Sequence, residues 1–463
     1  MTFGSLVLQS EHETRHTLLV GSTGTGKTTI LQPNIRRLLS RGRDKLLVVD
    51  SNGDVLSRFG RDGDIVLAAD DARSVRWEIF NDIRSDDDCA VLAHALIPEL
   101  PGNEGEWARY AQIVAEGIFL RLRRSGQELT NQRVLDALTD TPLPELKAMV
   151  AGTPAARMFE PGAEKMVASV LAIIGTYSVA LQMAARSTGR VWSLRDWVQN
   201  DNDRSSVYSP YQTATSDITS PFRRLVMDLA TRWACSLRES PSRRLWVVGD
   251  ELAAVGYFPG LVDVAARGRA YGVCLLFAIQ AISQLRKIYG KDDTETILSC
   301  MNNLIILRTQ DPGTADYLSE AIGDCDVERR TRSETTPRPG WGGFFSNSSG
   351  SSTSSTTQEK IRAVLPSEIM QLPDLSGIAR VVGSPWTHIR IARTARAPAV
   401  IPAHIPHVPN AIDCLPVAQE SAPAFDHARA TSKLRLRPMT GAEIMGGTPD
   451  ALSAADTSDE NRD

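Results

Sequence analysis

The chain is poor in cysteine, with six among 463 residues. No two of them form a C-x-x-C pair, which excludes a cysteine zinc site and the disulfide framework of a small secreted domain. We therefore expect reduced thiols in a cytoplasmic protein. The six are Cys89, Cys235, Cys274, Cys300, Cys325 and Cys414.

Long hydrophobic runs are also missing. The most apolar stretches, Val167 to Leu181 and Val273 to Ile282, are interrupted by polar groups and fall short of the ~20 residues that span a bilayer. The N-terminal residues lack the charged-then-apolar pattern of a signal sequence. The sequence therefore predicts a soluble chain without a transmembrane segment.

A strong charge of one sign is absent as well, since the net charge is −4. Long-range attraction to nucleic acid is not indicated, so any basic surface must be local. The 42% hydrophobic and 23% charged residues are ordinary for a soluble globular protein, and 463 residues suit two or three domains.

Short, uninterrupted apolar runs that alternate with helical spacing predict an α/β fold with a mainly parallel sheet buried on both faces. The helix after the first run is predicted over Thr28 to Leu39. The predicted strands are Thr17 to Val20, Leu46 to Val49, Leu245 to Val248, Val273 to Ile279 and Leu304 to Leu307.

The two early strands and the three late ones are separated by a long segment with helical periodicity. We predict residues 1–84 and 195–395 to be two parts of one nucleotide-binding domain, with an all-α domain inserted at 85–194. A flexible Ser/Thr/Gly-rich loop is expected at about 335–360, and a disordered tail with an acidic end at 396–463.

Residues 21–28 match the phosphate-loop pattern G-x-x-x-x-G-K-[ST] in full. The glycines allow backbone N–H groups to surround an anion, and the helix that starts there adds its positive end. Lys27 reaches the β- and γ-phosphates, and Thr28 binds Mg²⁺. The predicted nucleotide-binding residues are Gly21, Ser22, Thr23, Gly24, Thr25, Gly26, Lys27, Thr28 and Thr29.

A second apolar strand ends in Asp250-Glu251. We predict that Asp250 holds the metal and that Glu251 polarises the attacking water. No guanine-selecting N-K-x-D motif occurs, which favours ATP over GTP, and the adjacent Asp-Glu pair is typical of a motor ATPase.

Three further residues have two interpretations each. Gln280 ends the strand after Asp250 and is either a γ-phosphate sensor or a polar strand cap. Arg15 and Arg269 are either arginine fingers for a neighbouring subunit or solvated surface charges.

Two arginine clusters lie near the first helix and in the helical segment, at 36–43 and 121–124. They either contact nucleic-acid phosphates or form solvated helix faces. Their members are Arg36, Arg37, Arg41, Arg43, Arg121, Arg123 and Arg124. Trp107 and Tyr110, at helical spacing, are interpreted as core residues rather than as a base-stacking pair.

Several blocks together resemble the coupling proteins of conjugative type IV secretion systems, the TrwB/TraD group. They lie in the family's order over roughly residues 10 to 395. They are Thr14 to Thr28, Val48 to Asp54, Ser57 to Gly60, Arg244 to Trp246, Asp250 to Leu252, Gly268-Arg269, Gln280 with Ser283 to Leu285, Leu365 to Glu368 and Leu372 to Leu375.

The resemblance implies a RecA-like P-loop ATPase with an inserted all-α domain, assembled as a homo-hexamer. It implies binding of ATP, Mg²⁺ and DNA, single-stranded and with little sequence preference. Relaxase and relaxosome proteins, and a type IV secretion channel at the inner membrane, are the implied partners. Members normally begin with transmembrane helices, and none is predicted here, so either another polypeptide carries the anchor or this is a truncated or soluble variant. We expect a cytoplasmic chain that is peripheral at the inner membrane.

The resemblance also implies roles for single residues. Lys27 and Thr28 bind phosphate and Mg²⁺, Asp250 with Glu251 is the hydrolytic pair, and Gln280 is the sensor. Arg15 and Arg269 match arginines that reach the neighbouring subunit's nucleotide.

The function predicted first is a DNA-stimulated ATPase motor that couples relaxase-bound transfer DNA to the secretion channel. One alternative is a related hexameric translocase or secretion ATPase with a different cargo. A second is a non-hydrolysing adaptor, against which the intact Lys27, Asp250 and Glu251 argue.

Overall fold

The computed structural model describes residues 1–99, 105–335 and 351–407. The strands are β1 (Thr2–Phe3), β2 (Leu6–Val7), β3 (Thr17–Val20), β4 (Lys45–Ser51), β5 (Ile65–Val66), β6 (Arg76–Trp77), β7 (Val191–Trp192), β8 (Val207–Tyr211), β9 (Leu245–Gly249), β10 (Val273–Ile279), β11 (Asn303–Leu307), β12 (Asp324–Thr335), β13 (Ser351–Arg362), β14 (Ser376–Arg380) and β15 (Thr387–Arg390).

The helices alternate with these strands. They are α1 (Lys27–Ser40), α2 (Asp54–Phe59), α3 (Asp86–Leu96), α4 (Gly105–Arg124), α5 (Asn131–Thr139), α6 (Leu143–Met149), α7 (Glu164–Tyr177), α8 (Val179–Ala185), α9 (Leu194–Gln199), α10 (Ser216–Cys235), α11 (Gly260–Arg267), α12 (Ile282–Cys300), α13 (Pro312–Ile322) and α14 (Pro366–Met370). Short 3-10 turns cover Ser10–Arg15, Ile79–Asp82, Pro154–Phe159, Thr213–Thr215, Leu252–Val255 and Gly268–Tyr271.

The central element is a nine-stranded sheet in the order β15-β14-β11-β3-β10-β9-β4-β8-β5. The strands from β11 to β5 pair in parallel. The strands β14 and β15 close one edge in antiparallel pairing. This arrangement confirms the predicted mainly parallel α/β sheet.

Both faces of the sheet are covered, which explains why its central strands are continuous apolar runs. Every residue of β10 is buried. Its odd-numbered residues from 275 to 279 pack in the cluster that includes α10, α11 and the helical segment. Its even-numbered residues from 274 to 278 pack in the cluster that includes α1.

The five predicted strands and the helix after the first are present, with ends that differ by two residues or fewer. Strands β5, β8, β14 and β15 were missed because none of them is a long apolar run. Strand β8 contains Ser209 and Pro210, and β14 begins with Ser376-Gly377. They are strands because the neighbouring strand supplies hydrogen-bonding partners along their length.

Helices α3 to α8 confirm that the segment between the early and late strands is helical. Its two ends meet where β6 pairs in parallel with β7. The buried side chains of this segment belong to the same cluster that covers one face of the sheet. That it is a domain of its own, at 85–194, stays a prediction.

Two expectations about irregular structure need correction. The flexible loop predicted at 335–360 includes β13, which pairs with β12 from Asp324↔Arg362 to Thr335↔Ser351. Threonine suits a strand when a partner strand is available, whatever its polarity. The rest of the predicted loop, 336–350, lies outside the described residues.

The tail predicted to be disordered from residue 396 is ordered as far as 407. We call residues 393–407 the strap. The Val400 N–H donates to the Ser57 carbonyl at 2.7 Å, and the Ala72 N–H donates to the Ile405 carbonyl at 2.8 Å. Backbone pairing with the α2 and β5 region orders a segment whose composition indicated none. Residues 408–463 lie outside the described part.

Within the described ranges, no single helix is both long and apolar enough to cross a membrane. The pair α7 and α8, bent by 41° at the break, reaches that length and composition only when taken together. In the same ranges, Cys89, Cys235, Cys274, Cys300 and Cys325 carry free thiols.

Candidate nucleotide site

The predicted motifs meet at the carboxyl edge of the sheet. Strands β3, β9 and β10 are adjacent and parallel, so the loops that follow them lie side by side. The Gly21 N–H donates to the Ile279 carbonyl at 3.1 Å, and the Ser22 N–H donates to the Arg308 carbonyl at 2.8 Å. The loop after β3 is thereby tied to the ends of β10 and β11.

The conformation of this loop explains its glycines. Gly24 has φ 81° and Gly26 has φ 117°, a region that favours glycine. A Cβ on Gly21 would lie 2.7 Å from Leu307 Cβ, so only glycine fits there. The Thr25 hydroxyl donates to the Ser22 carbonyl at 2.8 Å and closes the turn. The loop leads into α1, whose first backbone N–H groups are free to bind an anion.

Lys27 points back over the loop. Its Nζ donates to the carbonyls of Gly21 at 2.5 Å and Ser22 at 3.1 Å. Burial lowers the pKa of Lys27, while the charges of Glu251 and Asp250 raise it. The ammonium group therefore lies between the loop and the two carboxylates, in a position to bind an anion held by the loop.

Asp250 and Glu251 follow β9 directly and are largely buried. Burial raises the pKa of Asp250 to about 6 and raises the pKa of Glu251. Asp250 Oδ1 and Glu251 Oε1 are buried atoms without a hydrogen-bond partner. Unsatisfied carboxylate oxygens that line the same cleft as Thr28 are the ligand type that Mg²⁺ prefers, so the residues present fit that metal.

Gln280 connects the two halves of the site. Its Nε2 donates to Glu251 Oε2 at 2.8 Å, and its Oε1 accepts from the Thr23 hydroxyl at 3.4 Å. The side chain therefore joins Glu251 to the phosphate loop. This contact supports the sensor interpretation over that of a strand cap.

These groups line one cleft of about 520 Å³. Gly21, Ser22 and Thr25 do not line it. Their hydrogen bonds hold the loop to the ends of β10 and β11 and close its turn. The lining residues that sequence reasoning missed are Ser51, Tyr211, Thr213, Ser216, Ala254, Asp374, Leu375 and Arg393. Asp374 and Leu375 belong to one of the blocks that resemble the family, and the sequence alone assigned them no role. In the structure the Leu375 N–H donates to the Thr25 carbonyl at 3.1 Å, which ties this block to the phosphate loop.

A second cavity of about 490 Å³ shares Thr28 and Thr29 with this cleft. Phe59, Arg36 and residues 394–397 of the strap line it. The strap therefore forms one wall of the space beside the phosphate loop.

The turn from Asp50 to Asp54 at the end of β4 has a structural explanation. The Asp50 carboxylate accepts from the N–H groups of Val55 at 2.9 Å and Leu56 at 2.7 Å, which caps α2. Asn52 and Gly53 both have positive φ, which allows the chain to reverse. The Asn52 side chain then accepts from the Thr213 N–H at 3.0 Å, so the turn fixes the neighbouring loop.

Arg15 and Arg269 do not line the cleft of their own chain. Both precede the amino ends of their strands, β3 and β10, and the seven residues of β10 span ~23 Å. Arg269 is exposed and faces a cavity of about 920 Å³ together with Glu11 and Thr14. Their position, outside the residues that line the cleft, fits either interpretation, an arginine finger for a neighbouring subunit or a solvated surface charge.

The contacts divide the predicted arginine clusters. Arg41 pairs with the buried Glu13 at 2.7 Å, and Arg123 and Arg124 pair with Asp86 at 2.5 and 2.6 Å. Arg36 lines the cavity beside the phosphate loop. The contacts therefore support ion-paired or solvated helix faces over a continuous basic surface.

The interpretation of Trp107 as a core residue is wrong, because its side chain is 41% exposed. The buried positions of α4 are occupied by other residues of the helix, among them Ala108, Ala111 and Val114. Tyr110 lies edge-on to Trp107 at 5.9 Å and its hydroxyl donates to Glu106 at 2.8 Å.

The family model for the type IV secretion-system coupling protein DNA-binding domain matches residues 1–392. The chain belongs to this family. The helical segment, the edge strands β14 and β15 and all the residues that line the nucleotide cleft except Arg393 fall within the matched part.

The relatives of this coupling-protein chain agree with the match. The coupling protein TraD of Escherichia coli (strain K12) is 25% identical over 434 residues, which are 90% of this chain and 59% of TraD. The chain therefore spans about three fifths of the length of TraD. The conjugal transfer protein TraG of Agrobacterium fabrum is 30% identical over 138 residues, or 29% of this chain and 20% of TraG.

Solved structures share the fold of this family member. The bacterial conjugative coupling protein TrwBdeltaN70, in an unbound form, superposes with a TM-score of 0.75 at 28% identity, covering 87% of this chain and 90% of that one. The plasmid coupling protein TrwB in complex with ADP and Mg²⁺ has the same TM-score at 27% identity, with 87% and 91% covered. TrwB has also been solved with the non-hydrolysable analogues ADPNP and GDPNP.

Proposed function

We propose that this coupling protein is a Mg²⁺-dependent ATP hydrolase that is stimulated by DNA. In this proposal it couples relaxase-bound transfer DNA to a type IV secretion channel in conjugation. The observation that carries the proposal is the convergence of Lys27, Asp250, Glu251 and Gln280 on one cleft of a coupling-protein fold.

Phosphate binding, activation of the attacking water and metal binding are assigned to different residues of the cleft. The loop at 21–28 and Lys27 bind and orient the phosphates by backbone N–H groups and one ammonium group. Glu251, held by Gln280, orients and polarises the attacking water. Thr28 and Asp250 would hold Mg²⁺, which when bound supplies positive charge against the phosphate oxygens.

The choice of ATP over GTP rests on the missing guanine-selecting motif. TrwB accepts both an adenine and a guanine analogue in the crystal. The cavity beside Thr28 and Thr29 is lined by Phe59 and by the strap, and it is the space into which a base attached to the bound phosphates would extend.

The positions of Arg15 and Arg269 support a ring in which each nucleotide lies between two subunits. Neither residue lines its own cleft, whereas an arginine supplied from a neighbour is the usual way to stabilise charge in the transition state. A homo-hexamer is the assembly proposed. Single-stranded DNA with little sequence preference, relaxase proteins and the inner-membrane channel are the proposed partners.

The test is ATP hydrolysis by the whole chain, with and without single-stranded DNA. Lys27→Ala is expected to abolish turnover, and Lys287→Ala, a lysine distant from the phosphate loop in sequence and absent from the cleft lining, is its matched control. Turnover that persists in Lys27→Ala would contradict the assigned site. Wild-type turnover unaffected by DNA at concentrations that allow assembly would contradict the motor.

The ring is tested by Arg269→Ala against Arg267→Ala. Arg267 lies in the same segment but pairs with Asp263 of its own helix at 2.6 Å. Arg269→Ala should keep nucleotide binding and lose hydrolysis in the assembled form only, whereas Arg267→Ala should behave as wild type. Mixing Arg269→Ala with Lys27→Ala subunits should restore part of the turnover, because some interfaces then contain an intact loop facing an intact arginine. No recovery would argue against a shared site.

A further inference from the structure

Arg223 is a buried arginine on α10 that none of the motifs includes. Its side chain is 2% exposed. The guanidinium donates to the Thr219 hydroxyl at 2.5 Å, to the Ser216 carbonyl at 2.8 Å and to the Ala254 carbonyl at 2.9 Å. It also lies over the ring of Tyr211, 4.1 Å from the ring centroid.

The partners of Arg223 belong to the wall of the nucleotide cleft. Tyr211, Ser216 and Ala254 all line that cleft together with Glu251. Ala254 lies in the 3-10 turn that follows Glu251, and its N–H donates to the Glu251 carbonyl at 3.2 Å. Arg223 therefore joins the end of β8 to the turn that carries the hydrolytic glutamate.

The charge of Arg223 has no carboxylate partner within ion-pair distance in the part of the chain that the structure describes. By contrast, the buried Arg244 and the half-buried Arg41 both pair with Glu13. Burial lowers the pKa of Arg223 only to about 10, so the group stays charged at neutral pH. A buried cation held by neutral oxygens and one ring is costly. Planar, multidentate donation is a property that arginine has and lysine lacks.

We propose that Arg223 is a positioning residue for hydrolysis, which fixes the turn after Glu251 against Tyr211 and so holds the glutamate in its working orientation. Gln280 supports the Glu251 carboxylate from the phosphate-loop side, and Arg223 supports the backbone that carries it from the opposite side. Within the described residues, Arg223 makes no hydrogen bond to the phosphate loop or to Lys27, so its effect is on orientation and not on nucleotide binding. The inference rests on the proposed hydrolase function.

The kinetic test compares Arg223→Met with Arg224→Met. Arg224 is the neighbouring arginine, 9% exposed, and it donates to the Leu96 carbonyl and lies over Tyr177 in the helical segment, away from the cleft. Arg223→Met should lower kcat about tenfold or more while the Kd of ADPNP changes less than about threefold. Arg223→Lys should recover only a small part, because Nη1 donates to Thr219 while Nη2 donates to Ser216 and Ala254, and one ammonium group lacks this planar, two-nitrogen arrangement over the Tyr211 ring. Arg224→Met should leave kcat near that of wild type.

A second measurement follows the turn itself and does not depend on turnover. Amide hydrogen exchange across residues 252–256 should be faster in Arg223→Met than in wild type and unchanged in Arg224→Met. Equal exchange in all three proteins would overturn the inference, as would a Kd that rises in parallel with the loss of kcat. If wild type hydrolyses no ATP, the hydrolase proposal fails, and the exchange result still decides whether Arg223 holds the turn. If Arg223→Met does not fold, Thr219→Val removes the hydroxyl that accepts from the Arg223 guanidinium, at a residue that does not line the cleft, and should give the same kinetic split.

Discussion

The buried histidine His16 predicts a measurable loss of stability in acid. Its side chain is 2% exposed, and its backbone has φ 55°. Its Nδ1 accepts from the Leu275 N–H at 3.2 Å, so Nε2 carries the proton and donates to the Ala265 carbonyl at 3.1 Å. Both ring nitrogens are thus used in the neutral form, and protonation would remove the acceptor.

The size of the effect follows from the two pKa values. Burial lowers the pKa of His16 from 6.5 to about 4. Because the folded pKa is the lower one, the contribution to stability is present above pH 6.5 and is lost as the pH falls towards 4. At pH 5.5 the unfolded histidine is mostly protonated and the folded one is not, which lowers the free energy of unfolding by about 1 kcal/mol relative to pH 7.5.

The assay is urea unfolding at pH 7.5 and 5.5 for wild type and His16→Asn. Asparagine tolerates positive φ and does not titrate. The free-energy difference between the two pH values should be smaller in His16→Asn by about 1 kcal/mol, and carboxylates common to both proteins cancel in this comparison. An identical pH difference in the two proteins would refute the assigned burial and tautomer.

Three further outcomes are expected. Gln280→Ala should lower kcat by about 10- to 100-fold with little change in nucleotide Kd, because Glu251 loses its hydrogen bond. A loss of nucleotide affinity as large as the loss of kcat would refute the idea that Gln280 positions Glu251. Gly53→Ala should destabilise by about 2 kcal/mol or more in urea, since its φ is 64° and a Cβ would lie 2.0 Å from the Ala403 carbonyl oxygen. Gly63→Ala, with φ 84° and open space, should cost less. Glu13→Gln should cost about 3 kcal/mol or more in thermal or urea unfolding, because Glu13 is fully buried and ion-paired.

The phosphate loop and the Asp250-Glu251 pair could be predicted from the sequence because their geometry is local. A buried parallel strand ends at the carboxyl edge of the sheet, and the residues that directly follow it must lie at that edge, within one or two peptide units of the end of the strand. Gly24 and Gly26 follow the same logic, since a positive φ depends on the residue itself. These predictions agree with the cleft that the structure shows.

The strap and Arg223 could not be found in this way. Residues 396–407 have a composition typical of disorder, yet the backbone of α2 and of the β5 region offers them hydrogen-bonding partners. Arg223 lies in a helix whose sequence gives no sign of a contact with Ala254. Both contacts arise between segments that are distant in the chain.

Sequence alone determined which groups are available for the proposed chemistry: a glycine-rich loop with Lys27, the carboxylates of Asp250 and Glu251, and the polar strand end at Gln280. Tertiary structure decided what these groups touch, because strand order places β10 between β3 and β9 and thereby brings Gln280 onto Glu251. It also placed Arg15 and Arg269 beyond the opposite end of those strands. Local sequence determines which group ends a strand, whereas only the packing of the whole sheet determines which ends are neighbours.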